Sequence, residues 1–99
     1  MQLNIEIQFM KSILQTNKKC WVCGSPNTEE HHVIYGTAKR KLSDKYGLVV
    51  YLCRPHHTGP KGAHFNSSLD TQLKMFAQKK FEEKYSHEKF MEVFHKNYL

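Results

Sequence analysis

Apolar residues fall into separate groups along the chain, and their spacing predicts the elements. Leu3, Ile5, Ile7 and Phe9 alternate as in a strand, while Ile5, Phe9, Met10, Ile13 and Leu14 keep helical spacing. The helical pattern is the reading adopted, over most of 4–16 and ended near Asn17. Glu30 to Tyr35 is short and carries β-branched Val33 and Ile34, which predicts a strand; the apolar run Leu48 to Cys53 predicts a second. Between them Gly36 to Gly47 reads as a polar loop, so the strands are expected to pair antiparallel across it. His56 to Ala63 contains Gly59, Pro60 and Gly62, which rules out a regular helix throughout. A long helix is predicted from Ser67 or Ser68, with Asp70 placing a favourable charge in its first turn. Leu69, Leu73, Phe76, Ala77, Phe81 and Tyr85 share one face of it. Ser86 suits the N-cap of a final helix with Phe90, Val93, Phe94 and Tyr98 as its apolar stripe. Both stripes read as core.

Composition narrows the picture. The chain has 99 residues, enough for one domain with a modest core, and 12% aromatic residues argue against disorder. The formal charge is +6. That excess suits a phosphate-bearing partner such as nucleic acid, and equally a lysine-rich solubilising surface. Three cysteines cannot pair completely, and no signal peptide or long apolar run accompanies them. The expectation is therefore a reducing, cytoplasmic compartment, metal ligation rather than disulfides, and no membrane span.

Two pairs of residues repeat one offset, Cys20-x2-Cys23 and Cys53-x2-His56. Cysteines two apart can reach one tetrahedral ion from a single turn, at about 2.3 Å for zinc. Gly24 permits the tight turn that aims backbone amides at the sulfurs. A Cys3His set has no open position, so it predicts a structural Zn²⁺ whose binding energy feeds into folding. His57 is the alternative fourth ligand. The plainer reading makes the cysteines ordinary buried thiols and His56 a surface histidine, and the matched offsets weigh against it.

Four further imidazoles, His31, His32, His57 and His64, are gathered by the predicted strands and the turn after them. Singly, each is most simply a tolerated polar residue. Together they offer neutral nitrogens for a divalent ion and one imidazole to take a proton from water near neutral pH.

With these motifs, residues 18–66 resemble an HNH nuclease of the ββα-metal type. The match runs through Cys20-x2-Cys23, Glu30-His31-His32-Val33-Ile34, and Leu48 to His57 ending Cys53-Arg54-Pro55-His56-His57. The resemblance implies an α+β fold: a small ββα-metal (His-Me finger) core with a structural zinc knuckle, flanked by an N-terminal helix and two C-terminal helices. One domain spans 1–99, with the core at about 18–66 and a helical part at about 67–99. It further implies His32 as general base, and His31, His57 and His64 as ligands of a catalytic divalent metal, Mg²⁺ or else Mn²⁺, Ni²⁺ or Zn²⁺.

His56 stands where the family usually has its fourth cysteine, and the segment Thr58–Ala63 is longer than the usual one-turn spacing before the last histidine. The family's central asparagine is also absent. Ser43, Asp44 or Tyr46 is available to orient the loop, with Asp44 the choice made here. Lys39, Arg40 and Lys41, with Arg54 and Lys61 as weaker candidates, are expected to hold backbone phosphates.

The implied activity is metal-dependent hydrolysis of phosphodiester bonds in DNA, in a small protein of phage or bacterial type. The competing readings keep the zinc-stapled fold without the chemistry. One is a module that binds nucleic acid or a protein; the other is a structural domain whose aromatic C-terminal helices dock in a larger assembly.

Overall fold

The structure is a computed structural model that describes residues 11–59 and 62–99. Among these it is an α+β arrangement of a two-stranded antiparallel sheet and four helices: β1 (Glu29–His32), α1 (Lys39–Tyr46), β2 (Val49–Leu52), α2 (Arg54–His57), α3 (Ser67–Lys84) and α4 (His87–Phe94). His31 faces Val50 and His32 faces Val49 across the sheet. Every residue of β2 is buried, which is why it reads as an unbroken apolar run rather than an alternating one.

Both strands match their predicted places, and β1 is shorter than expected. Val33 still donates to the Leu48 carbonyl, but at Ile34 the Ser43 hydroxyl takes over, accepting from the backbone N–H and donating to the backbone carbonyl. That side chain comes from α1, where a loop was predicted. Leu42, Ser43 and Tyr46 form a narrow inward face there, too few positions to stand out among four basic residues and an aspartate. Gly47 closes the helix at φ 74, and a Cβ on it would lie 2.8 Å from the Lys11 carbonyl. No side chain fits between the two segments.

Of the helix expected over 4–16, residues 4–10 lie outside the described residues, and residues 11–16 are not helical. They form a strap along the open edge of β2. Ser12 donates to the Val49 carbonyl, the Gln15 amide oxygen accepts from Tyr51 N–H, and Trp21 N–H donates to the Tyr51 carbonyl. Ser12 also accepts from the N–H groups of Leu14 and Gln15, a local turn that replaces the helical ladder. The strap thereby satisfies edge groups that would otherwise be open to another chain.

The two C-terminal helices form where the sequence predicts, but they stop at Lys84 and Phe94, so Tyr85 and Tyr98 of the predicted stripes lie past their ends and Tyr85 is exposed. Asn66 caps α3 by accepting from Ser68 and Leu69 N–H, and Ser86 caps α4 by accepting from Lys89 N–H. Leu73, Ala77 and Phe81 from α3 meet Phe90 and Phe94 from α4 in a buried cluster that extends back to Leu14 and β2. No helix among the described residues is long and apolar enough to cross a membrane.

Candidate metal centres and the histidine cleft

The first centre lies where the strap turns back beside α2. Gly24, at φ 78, lets its N–H reach the Cys20 carbonyl at 2.8 Å, and this turn brings Cys20 and Cys23 together. Cys53 caps the single turn of α2, so His56 returns over it. Cys23 Sγ lies 3.7 Å from Cys53 Sγ, Cys20 Sγ lies 3.7 Å from His56 Nδ1, and Cys53 Sγ lies 3.1 Å from His56 Nδ1. A tetrahedron with bonds of about 2.3 Å has edges of about 3.8 Å, so two of these spacings already match a bound ion and the third is tighter. Burial works against a thiolate at Cys20, but backbone hydrogen bonds at Cys53, Cys23 and Val22 outweigh it and bring the thiol down to about 6. The four side chains form a Cys3His cluster with the donor set and spacing for a metal ion. His56 rather than His57 completes it.

His57 belongs to a second group. The ring centroids of His31, His57 and His64 lie 5.0–5.2 Å apart, and one nitrogen from each falls within 4.8 Å of the others. His57 Nδ1 lies 2.9 Å from Glu29 Oε1, while Arg54 holds Glu29 Oε2 through its Nε and a terminal nitrogen. A carboxylate on Nδ1 fixes the proton there and leaves the Nε2 lone pair free. That Nε2 lies 3.3 Å from His64 Nε2. His31 is only 1% exposed, and its Nε2 is a buried nitrogen with no hydrogen-bond partner among the described residues. Burial first, then the neighbouring His57 and His64, push His31 down to about 3. Burial, then His57, also lowers His64. Nitrogens brought together, one of them orphaned, suit an intervening cation, which would satisfy all three.

His32 is next in sequence, and strand alternation turns it away from His31 toward α1. Its Nε2 meets Asp44 Oδ1 at 3.2 Å. Asp44 also pairs with the Lys11 ammonium, which reaches Glu30 at 3.0 Å. Lys11 above all, then His32, holds the Asp44 carboxyl below its usual range. Glu30, His32 and Asp44 also lie within metal-ligand spacing of one another, but the Lys11 ammonium pairs with both carboxylates of that group.

The two histidine sets meet in one cleft of about 410 Å³, lined by Glu30, His31, His32, Tyr35, Gly36, Arg40, His57 and His64. Arg40 and Lys41 continue along an adjoining groove with His32 and Asp44. Lys39 lines neither space. Arg54 is ion-paired with Glu29, and Lys61 lies outside the described residues. The loop-bracing contact expected of Asp44 is made by Ser43, while Asp44 reaches His32 instead.

Sequence reasoning missed Glu29, although period two puts it on the strand face of His31. It also missed Tyr35, Asp70 and Lys74 beside the cleft, because only tertiary packing brings α3 there. Comparison with family models, curated proteins and solved structures finds no match, so the functional reading rests on residues and geometry.

Proposed function

We propose that the chain is a metal-dependent endonuclease of the HNH type, built on a ββα-metal core and hydrolysing phosphodiester bonds in DNA. The observation that carries this reading is the convergence of His31, His57 and His64, with the buried His31 Nε2 unpartnered, beside a separate imidazole held by a carboxylate.

A divalent ion bound by the three imidazoles would supply Lewis-acid stabilisation of charge growing on the phosphate. Imidazole ligands favour Mn²⁺, Ni²⁺ or Zn²⁺ over Mg²⁺. Glu29 positions His57 by fixing its tautomer, and Arg54 holds Glu29 in place. His32 is the general base: with Nε2–H donated to Asp44, its Nδ1 keeps the lone pair that accepts a proton from water. Asp44 is a positioning residue, itself fixed by Lys11. Arg40 and Lys41 hold phosphates flanking the cleft. The Cys3His cluster takes Zn²⁺ as a staple for a small core.

A binding module without chemistry would not require three converging imidazoles with an orphaned nitrogen. Nicking of supercoiled plasmid by wild type and by His32→Ala, across Mg²⁺, Mn²⁺ and Ni²⁺, tests the reading. Wild type is expected to cut, and loss of the base should slow it by roughly 10²–10⁴-fold. A wild type that binds DNA but cuts neither the plasmid nor a single-stranded oligonucleotide with any of these metals would retire the catalytic reading.

A further inference from the structure

The geometry points to Tyr35 as a base-stacking platform in the cleft, which makes single-stranded or locally unpaired DNA the substrate class. This rests on the nucleic-acid reading of the cleft. Tyr35 follows β1, and its ring centroid lies 6.0 Å from that of His31 and 5.6 Å from that of His64. It lines the cleft and remains 37% exposed, an aromatic surface among imidazoles and charged side chains.

The ring is clamped from α3, outside the segment that carries the metal ligands. Its hydroxyl lies 3.1 Å from Asp70 Oδ1, and Lys74 pairs with Asp70 Oδ2 at 2.8 Å while its ammonium sits 4.5 Å from the Tyr35 centroid. The ring is thus held at its hydroxyl edge by Asp70 and over one face by Lys74. Gly36, the next residue and also on the cleft lining, carries no side chain, and a Cβ there would meet no atom of a non-neighbouring residue within 4 Å. A clamped, part-exposed ring on the wall of the cleft, with Arg40 on the same lining, suits a flat base whose phosphate is held by a guanidinium. In a paired duplex both faces of each base are already stacked on neighbours, so the platform gains a partner only where a base is free.

The test uses a short single-stranded DNA oligonucleotide carrying a fluorescent adenine analogue that stacking quenches. It is bound to full-length, zinc-loaded protein in the His32→Ala background, beside a duplex of the same sequence. The single strand should bind more tightly and be quenched. Tyr35→Phe, which keeps the ring and its Lys74 contact but loses the Asp70 bond, should still be quenched and bind more tightly than Tyr35→Leu, which should lose the quenching and roughly 5- to 100-fold in affinity at unchanged zinc content. A halogenated-base oligonucleotide photocrosslinked to protein with Tyr35 intact gives a readout independent of variant folding, and the crosslink should map to Tyr35.

Equal binding by Tyr35→Leu, equal affinity for the duplex, or a crosslink elsewhere overturns the proposal. Wild type that cuts plasmid while Tyr35→Leu binds normally discards the platform and keeps the nuclease. Stacking in a protein that never cuts does the reverse.

Discussion

Within β1, two consecutive histidines meet opposite surroundings. His31 turns inward among His57, His64 and Tyr35, while His32 meets Asp44. The Cys20-x2-Cys23 and Cys53-x2-His56 offsets are local in the chain and could be read before any fold was known, whereas His31 joins His57 and His64 only through the fold. The Glu29–His57 pair spans 28 residues and depends on how α2 returns over β1, which no local pattern encodes. His31 gives this scale its prediction. In the unfolded chain it takes a proton near 6.5, whereas the folded protein excludes that proton down to about 3. Its stabilising contribution is therefore complete above 6.5 and is lost as pH falls from there toward 3. Urea unfolding from about pH 7 to about pH 5 should show wild type losing up to about 1.4 kcal/mol per pH unit more than His31→Asn. Parallel slopes would mean that His31 is not held neutral by its surroundings.

Elements were legible where one face carries an unbroken pattern. The α3 stripe has Leu73, Ala77 and Phe81 fully buried, and β2 is apolar throughout. The strap at 11–20 and α1 were not legible, for opposite reasons. Ile13 and Leu14 continue the apolar spacing that predicted a helix over 4–16, but Ser12 and Gln15 spend their hydrogen bonds on the edge of β2. In α1 the inward face is so narrow that its polar residues hide it, and Ala38 precedes it at φ 68 with no side-chain cap. The capped start of α3 matters to the cleft because Asp70 and Lys74 fix Tyr35 from its first two turns. Asn66→Ala removes both capping bonds and should cost about 1 kcal/mol in urea unfolding, while Asn66→Asp should keep most of it. An Asn66→Ala protein as stable as wild type would show that α3 is held by its packing alone.

Across the whole molecule, the Cys3His cluster and the three-imidazole cluster draw ligands from the same short helix. Cys53 and His56 face one cluster and His57 faces the other, so α2 joins a closed Cys3His set to an open three-imidazole set. The net charge of +6 and the exposed Arg40 and Lys41 agree with an anionic polymer as partner. Only the packed chain shows that the closed set lies clear of the cleft while the open set lines it. The most direct test of the account is calorimetric titration of Ni²⁺ into zinc-loaded protein, wild type beside His64→Ala, a change at an exposed position. Wild type should take up one further ion per chain. Because losing even an outer partner of a ligand costs 10–100-fold, loss of His64 itself should weaken binding by about 100-fold. No saturable uptake beyond the zinc, or equal affinity in both proteins, would contradict the shared imidazole centre.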